Sequence, residues 1–558
     1  MDMWAAAREE LGTTPDGGFN MGWAAVDRHV AAGNGGRVAL RWRGRDGSTR
    51  TLTYAELAAD GSRVADALRR LGVRRGEVVF TLLPRVPALY AVMLGALKAG
   101  CVVAPLFAAF GPEPLRRRLM LGHARVLVTT AVLCGRKGLA EGRDGLDGVP
   151  AHLDVITIDD PPPGARGLAA LMAEADPEAA CAPTGPDDPA LLHFTSGTTG
   201  APKGAVHGHG ALVAQLATAR HALDLRAADT YWCTADPGWV TGTVYGVLAP
   251  LACGATLVAD EGDFDPARWY AVLAEERVAV WYTTPTAIRM LMRVGDELPR
   301  RHDLSALRVC ASVGEPLNPE AVAWGASVLG QPFRDTWWQT ETGAIMLANT
   351  GPDAVPGALG HPVPGIGAAI LRPTPGRVEV MAEPDAVGEL ALRPPWPSLF
   401  QGYLGDAGRT ARAFAGGWYL SGDLARRDAA GRFWFVGRAD DIIKSSGHLI
   451  GPFEVESVLL EHPAVAEAGV IGRPDPVAGE VVKAFVALKP GHAAEPALAA
   501  ALIAHARRRL GPALAPREVA FADALPHTRS GKIMRRLLKA RELGLPEGDL
   551  STLESGGR

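Results

Sequence analysis

The chain has 558 residues, of which 47% are hydrophobic and 21% are charged. This composition argues against a disordered chain, and the length exceeds what one hydrophobic core normally serves, so we expect at least two domains. The net charge of −4 excludes a general electrostatic grip on nucleic acid, which needs a strongly basic surface.

Six cysteines are spread along the chain and form no C-x-x-C pair. Their spacing argues against a zinc site and a disulfide framework and fits a reducing compartment, so we expect a cytoplasmic protein. The first residues, MDMWAAAREELG, lack the basic segment and apolar core of a signal peptide.

Apolar runs alternate with helical patterns through the first half of the chain. The runs typical of buried strands are RVAL, EVVFTLL, CVVAPL, RVLVTT, ATLVAD and VAVWYTT, and segments such as PEPLRRRLMLGH, FDPARWYAVLAEERV and TAIRMLMRVG between them have helical spacing. Strand–helix–strand alternation of this kind predicts parallel sheets covered by helices.

One stretch, ALYAVMLGALKAGCVVAPLFAAF at residues 88–110, has the apolar composition of a membrane span. Lys98, Gly100 and Pro105 interrupt it. We therefore predict a buried helix over 88–99 and a short buried strand over 101–104, with no contact to a membrane.

The strand–helix alternation ends in the last third of the chain. Short strands with turn glycines between about 380 and 450 predict a small barrel or antiparallel sheet, and the residues from 452 onward predict a compact α+β unit. We expect the boundary in GRADD, which gives a large α/β domain over 1–439 and a small domain over 440–558.

The segment TSGTTGAPKG at 195–204 directly follows an apolar strand. Its glycines allow a tight path, and its hydroxyls, backbone N–H groups and Lys203 can converge on one anion, above all phosphate. The spacing is not that of a Walker A loop, so the loop alone predicts nucleotide binding and leaves the chemistry open.

This loop resembles the phosphate loop of the adenylate-forming enzymes, which include acyl-CoA synthetases, luciferases and peptide-synthetase adenylation domains. Five further blocks, SVGEP, DTWWQTETG, YLSGD, GRADDIIKSSG and TRSGKIMRR, occur in the order and spacing of that family. The segments ADPGWVTGTVYG and DTWWQTETG and the C-terminal GLPEGDLSTLE are most similar to the AMP-forming acetyl-CoA synthetases. The resemblance implies a small C-terminal domain that is mobile.

The resemblance implies a two-step reaction with ATP, Mg²⁺ and coenzyme A as cofactors. A short carboxylic acid is joined to AMP with release of pyrophosphate, and a thiol then displaces AMP. Lys532, Glu341 and Thr195 are the catalytic candidates. Lys532 would bridge the acid and the α-phosphate, and Glu341 would hold Mg²⁺, a hard ion that prefers oxygen ligands.

The resemblance also implies the remaining nucleotide positions. For the phosphates they are Ser196, Gly197, Thr198, Thr199, Gly200 and Lys203; for adenine they are Gly314, Glu315, Pro316, Asp335, Thr336 and Trp337; Gln339 and Thr340 are further nucleotide-binding candidates. Asp423 is expected to accept the ribose hydroxyls, and Arg438 is expected to contact ribose or phosphate.

The acid-binding pocket is expected at Trp338, with Trp239, Val240 and Thr241 as its other walls. A large indole leaves space for little beyond a methyl group, which favours acetate. Propionate stays an alternative, because one methylene is discriminated by only about 1–3 kcal/mol.

The resemblance implies a hinge at Asp440, with Ser446 and Gly447 lining the path of the CoA pantetheine. Leu449 departs from the pattern, since acetate-activating and medium-chain members commonly carry Arg there, so one phosphate contact is in doubt.

His207 and His209 lie just after the phosphate loop and are interpreted as buried, hydrogen-bonded residues, with a metal-binding pair as the less favoured alternative. Two alternative functions stay open: an adenylation module that loads a carrier protein, and a nucleotide-binding regulator without turnover. Lys532 is also a candidate substrate for a lysine acetyltransferase and deacetylase, because loss of its charge would stop the first step.

Overall fold

A computed structural model describes residues 2–108, 110–137, 139, 152–196, 202–351, 354–374, 377–445, 448–528, 532–547, 550 and 553. The helices are α1 Met3–Leu11, α2 Arg28–Ala31, α3 Tyr54–Arg70, α4 Pro87–Lys98, α5 Pro112–Leu121, α6 Ala131–Arg136, α7 Leu168–Ala173, α8 Ala211–Leu223, α9 Val240–Thr243, α10 Ala249–Cys253, α11 Pro266–Glu275, α12 Pro285–Val294, α13 Pro319–Trp324, α14 Ala407–Arg412, α15 Pro452–Leu460, α16 Pro496–Leu510 and α17 Arg535–Leu543.

The strands fall into four sheets. In chain order they are β1 Val38–Arg43, β2 Thr49–Thr53, β3 Val78–Thr81, β4 Val102–Pro105, β5 Ala124–Thr129, β6 Asp154–Thr157, β7 Arg166–Gly167, β8 Pro189–Ser196, β9 Pro202–Gly208, β10 Thr230–Cys233, β11 Thr256–Asp260, β12 Val280–Thr283, β13 Val309–Val313, β14 Phe333–Trp337, β15 Leu347–Ala348, β16 His361–Pro362, β17 Gly367–Thr374, β18 Arg377–Val380, β19 Val387–Arg393, β20 Gly402–Tyr403, β21 Phe414–Ala415, β22 Trp418–Arg427, β23 Phe433–Arg438, β24 Ile443–Ser445, β25 His448–Ile450, β26 Val465–Asp475, β27 Gly479–Leu488 and β28 Glu518–Phe521.

Two large sheets form the centre of the molecule. The first has the order β16-β15-β14-β13-β12-β10-β11-β1-β2 and the second has the order β20-β9-β8-β4-β3-β5-β6-β7. The inner strands pair in parallel, and the edges β2, β15, β16, β9 and β20 pair antiparallel. This topology confirms the predicted α/β class, in which helices bury the apolar faces of parallel sheets.

One apolar cluster joins residues of both sheets to the helices between them. Helix α4 is buried along its whole length from Leu89, and β4 follows it directly, so the apolar stretch at 88–110 is a core helix and a core strand as predicted. In the described part of the chain no helix is both long enough and apolar enough to cross a membrane.

The third sheet is antiparallel, with the order β18-β17-β19-β22-β21 and β23 on β22, and it corresponds to the predicted barrel-like subdomain. The fourth sheet, β25-β24-β27-β26 with β28 on β27, packs with α15 and α16 around an apolar cluster of its own. These elements are the predicted C-terminal α+β unit. The expected boundary between 439 and 440 lies in the turn that follows β23.

The C-terminal unit contacts the larger one through both aromatic and polar groups, and the ring centre of Phe453 on α15 lies 6.1 Å from that of Phe435 on β23. Asn318 Nδ2 donates to Ser457 Oγ (3.0 Å), and Arg293 of α12 lies 3.3 Å from the Glu467 carboxylate on β26. These polar contacts place α15 and β26 beside α12 and the segment that follows β13.

Candidate active site

The carboxyl ends of neighbouring parallel strands bring two of the predicted motifs together. β13 leads into Gly314, Glu315 and Pro316, and the adjacent β14 contains Asp335, Thr336 and Trp337 and leads into Trp338. Open parallel α/β sheets bind ligands in the crevice outside the carboxyl ends of their strands.

The phosphate hairpin, residues 189–208, is formed by β8 and β9. Thr195 pairs with Lys203 and Phe194 pairs with Gly204, so Lys203 and Gly204 belong to strand β9. The predicted binding positions Gly197, Thr198, Thr199 and Gly200 lie outside the described residues, as do Ser446 and Gly447, and the structure describes only the backbone of Ser196.

Glu341 lies in a short turn between β14 and β15, residues 339–343, which we call the glutamate turn. Its backbone is held from outside: Phe400 N donates to Glu341 O (2.9 Å), and Ser398 Oγ donates to Thr342 O (2.7 Å). The Glu341 carboxylate accepts a hydrogen bond from Tyr403 Oη at 2.7 Å. A catalytic candidate is therefore carried on a backbone with little freedom to move.

His207 connects the phosphate hairpin to the glutamate turn. Its Nε2 lies 2.8 Å from Thr340 O and its Nδ1 lies 3.0 Å from Ser398 O. Burial lowers the pKa of His207 to about 4, so the ring is neutral and donates its single N–H to one of these carbonyls at a time. His209 Nδ1 accepts from Met21 N (3.0 Å), and both histidines are buried and hydrogen-bonded as interpreted.

Asp423 is the centre of a polar network. Its Oδ2 accepts from Trp337 Nε1 and from Gln339 Nε2, both at 2.9 Å, and its Oδ1 accepts from Arg438 at 2.8 Å. Tyr419 Oη donates to Gln339 Oε1 (2.7 Å). Four predicted nucleotide positions thus meet through one buried carboxylate, whose lone pairs can still accept further hydroxyl groups.

The predicted adenine positions differ in how free their side chains are. The Glu315 carboxylate is held by Arg289 (2.8 Å) and Thr286 (2.8 Å), so this residue can offer a ligand its backbone more readily than its side chain. Asp335 is buried, and burial raises its pKa to about 8 despite the bonds from Thr336 N and Leu317 N. A protonated carboxyl at this strand end can donate as well as accept.

Lys532 comes from the C-terminal unit and reaches the carboxyl end of β13. Its Cε lies 3.9 Å from the position that a Cβ on Gly314 would take. Lys532 N donates to Thr528 Oγ1 (3.0 Å), which fixes the backbone beside it. Crowding by protein atoms lowers the pKa of Lys532, although Glu315 opposes the shift; since solvent still reaches the side chain, the effect is weaker than in a closed cavity.

Trp338, the expected wall of the acid pocket, is held on two sides. Its Nε1 donates to Tyr282 Oη (3.3 Å), which in turn contacts Thr336 Oγ1 at 2.7 Å. The ring of Tyr245 meets the indole edge to face, with 5.2 Å between the ring centres. Trp239 immediately precedes α9, which begins with Val240 and Thr241, and its ring lies 6.1 Å from that of Phe107.

The donor set around Glu341 fits Mg²⁺ bound together with phosphates. Within the described ranges no three His, Cys, Asp or Glu side chains converge on a possible metal position. A single carboxylate is what Mg²⁺ takes from a protein when substrate phosphates and water supply its other ligands. Lys203 lies close enough to Glu341, Arg409 and Arg438 to interact with their charges, so three cations and one carboxylate lie near one another.

Tyr403 and Tyr282, which contact two predicted site residues, were not predicted from the sequence. Tyr403 lies 62 positions after Glu341 and Tyr282 lies 56 positions before Trp338. The only local signal was the apolar run VAVWYTT, in which Tyr282 falls at the end of a strand that neighbours β13.

Comparisons with known proteins agree over nearly the whole chain. Residues 27–404 match the family described as AMP-binding enzyme, and residues 454–532 match the AMP-binding enzyme C-terminal domain. The acetyl-coenzyme A synthetase of Bacillus subtilis (strain 168) is 44% identical over 561 residues, which cover 99% of this chain and 95% of that protein. That of Deinococcus radiodurans is 41% identical, covering 96% of this chain and 86% of that protein.

Solved structures agree as well. The acyl-CoA synthetase of Brucella canis has a TM-score of 0.73 at 37% identity and covers 97% of both chains. A benzoate CoA ligase from Burkholderia xenovorans LB400 has a TM-score of 0.82 at 31% identity, covering 93% of this chain and 100% of that chain. The protein therefore belongs to the AMP-binding enzyme family, with both the large and the C-terminal family domains present in one chain.

Proposed function

We propose that this protein is an ATP-dependent ligase that activates acetate to acetyl-AMP and then transfers the acetyl group to coenzyme A. In the first half-reaction an acetate oxygen bonds to the α-phosphorus and pyrophosphate leaves; in the second the CoA sulfur takes the acetyl group and AMP leaves. The observation that carries the proposal is the approach of Lys532, from the C-terminal unit, to Gly314 and the Asp423 network.

Both reactants of the first step are anions, so the site must neutralise and orient charge rather than supply a nucleophile. Lys203, Arg438 and Lys532 approach from three different elements and can each offset negative charge. Glu341 is the residue that would hold Mg²⁺, and the ion would supply charge neutralisation at the ATP phosphates. Asp423 would fix the ribose by accepting its hydroxyl groups.

The choice of acetate is supported by the buried indole of Trp338 and by relatives named acetyl-coenzyme A synthetase. A rigid ring that is hydrogen-bonded to Tyr282 and packed against Tyr245 cannot move aside cheaply for a longer acid. Acetate, ATP and coenzyme A are the partners of the site.

The proposal includes a boundary between two domains at residues 439 and 440. We assign residues 1–439 to the nucleotide and acid site and 440–558 to a domain that turns about Asp440 and carries Lys532 towards and away from Gly314. The free thiols of all six cysteines suit a reducing compartment such as the cytoplasm. Lys532 is exposed to solvent, so a modifying enzyme that acetylates lysines can reach it.

The test is pyrophosphate release measured with purified protein across acetate, propionate, butyrate and benzoate, with and without coenzyme A. We expect acetate to give the highest kcat/KM, propionate to be weaker by about tenfold or more, and the longer acids to be inactive. AMP should accumulate over many turnovers only with coenzyme A. Absence of acid-dependent pyrophosphate release would refute the proposal, and a preference for propionate would move it to the neighbouring substrate.

A further inference from the structure

The hydroxyl of Tyr403 hydrogen-bonds the carboxylate of Glu341. It donates to Glu341 Oε1 at 2.7 Å, and an ionised carboxylate can only accept. Hydrogen bonds to a charged acceptor are stronger than those between neutral groups. Among the described residues no other protein group hydrogen-bonds this carboxylate, so Tyr403 supplies its one hydrogen-bond donor and Oε2 is left for another ligand.

Tyr403 is itself fixed to the strand that bears Lys203. It belongs to β20, which pairs antiparallel with β9 so that Tyr403 lies opposite Ala205. Tyr403 N donates to Thr410 Oγ1 at 2.9 Å, and Leu404 N donates to Gly204 O at 2.7 Å. The backbone on both sides of the tyrosine is therefore tied down.

The ring of Tyr403 is fixed as well. Phe400 meets it edge to face with 5.0 Å between ring centres, and the Lys203 ammonium lies 5.5 Å from the ring centre. One side chain thus contacts both the lysine of the phosphate hairpin and the carboxylate of the glutamate turn. A cation near an aromatic face is attracted to it, so the lysine is oriented by the same residue.

From these contacts we infer that Tyr403 is a positioning residue: it orients the Glu341 carboxylate for the metal ion of the metal–ATP complex. The inference depends on the proposed function, because Glu341 is a metal ligand only in a protein that binds that complex. Without the hydroxyl, the flexible Glu341 side chain samples more rotamers. Metal binding must then fix this side chain, and the lost conformational entropy lowers the affinity for the metal.

The test compares Tyr403→Phe with wild type in the full chain. The probe is Mn²⁺, whose binding in the presence of a non-hydrolysable ATP analogue is followed by electron paramagnetic resonance. We expect binding of Mn²⁺ to weaken about tenfold, the loss typical of one hydrogen bond to a charged group. Affinity for the analogue in EDTA should stay within about twofold of wild type. Unchanged Mn²⁺ binding, or an equal loss in EDTA, would overturn the inference.

A double-mutant cycle with Glu341→Gln separates positioning from general damage. If Tyr403 acts through Glu341, Tyr403→Phe should change Mn²⁺ binding little once Glu341 is already replaced. Additive losses would overturn the inference. A 4-aminophenylalanine in place of Tyr403 keeps a donor at the ring tip and should restore most of the Mn²⁺ affinity.

Tyr54→Phe is the matched control, because Tyr54 Oη also contacts protein oxygens, Ala255 O at 2.8 Å and Leu251 O at 3.1 Å, within the core. It should lower the unfolding temperature without changing Mn²⁺ binding. The proposed function is judged separately by acid-dependent pyrophosphate release in wild type. Loss of metal affinity in Tyr403→Phe would therefore be informative whichever acid proves to be the substrate.

Discussion

Burial changes the pKa of individual side chains in this protein. Asp335 is the clearest case: burial raises its pKa to about 8, whereas in an unfolded chain an aspartate ionises at about pH 4. Between these values the native state keeps a proton that the unfolded state has lost. The sign follows directly, since stability falls with rising pH wherever the native state binds more protons.

We therefore predict that Asp335→Asn removes a pH dependence of folding. Between about pH 5 and about pH 7 the free energy of unfolding of wild type should fall relative to the variant by about 1.4 kcal/mol per pH unit. The difference should stop growing above about pH 8, where both states are ionised. Urea unfolding at a series of pH values measures it. Parallel curves for the two proteins would mean that Asp335 is ionised in the native state.

The chain-length limit of the proposed reaction is also a single-residue property. Trp338→Gly removes an indole that fills the expected acid pocket, so we predict that butyrate and longer acids become substrates in the pyrophosphate assay. Stability should fall by about 3–5 kcal/mol, as for other large deletions in a core. The comparison is the ratio of kcat/KM between acids, which is insensitive to the fraction of folded protein. An unchanged ratio would show that another wall limits the acid.

The C-terminal part of the chain places Lys532 beside Gly314 of the large unit. Lys532 is held by a short ladder in which Thr528 N donates to Lys532 O (2.7 Å) and His527 pairs with Ile533. Arg535, at the start of α17, is anchored by the buried Glu456 carboxylate at 2.5 Å. Lys532 is therefore attached to a folded part of the C-terminal unit.

Lys532→Ala should stop adenylation and spare thioester formation. In the proposed mechanism the lysine contacts the attacking acid and the α-phosphate in the first half-reaction alone, so loss of its charge should slow acetyl-AMP formation on the order of 100-fold or more. Supplied acetyl-AMP should still react with coenzyme A at a rate near that of wild type. Lys539→Ala is the control, because Lys539 pairs with Glu480 (2.9 Å) in the same segment. Equal slowing of both half-reactions would remove the assigned role.

The sequence predicted helices and strands well where hydrophobic periodicity or a motif within a short segment indicated them. The strand and helix at 88–110 and the C-terminal α+β unit follow from patterns within a few residues. The motifs SVGEP and DTWWQTETG lie at the ends of β13 and β14, two strands that the sequence analysis did not predict. Two-residue strands such as β15, β16 and β20 have no period to detect, and sheet order depends on pairing between distant segments. The contacts of His207 and Tyr403 with the glutamate turn have the same origin: they arise only when β9, β20 and that turn meet.

The molecule combines a double-sheet body with a C-terminal unit, joined to it by one connecting turn and by polar and aromatic contacts. Arg293 with Glu467, and Asn318 with Ser457, are polar contacts between the units, and Phe435 with Phe453 is an aromatic one beside the connecting turn. Relative motion is the default for two domains of one chain unless their interface is large and hydrophobic. The structure has Lys532 beside Gly314. In the proposed mechanism this arrangement serves the first half-reaction, and a second arrangement, reached by a turn at Asp440, serves the second.

Asp440→Pro tests whether the chain turns at that position. Proline fixes φ near −65°, so a hinge at 440 would be held in one arrangement while the nearby site residues stay unchanged. We predict that acid-dependent release of the first pyrophosphate survives and that acetyl-CoA formation falls on the order of 100-fold, because closure and reopening can limit turnover. Asp440→Ala, which keeps φ free, should remain near wild type in both assays. Normal acetyl-CoA turnover in the proline variant would place the motion elsewhere in 437–445, and loss of both steps would mean that proline distorts the site itself.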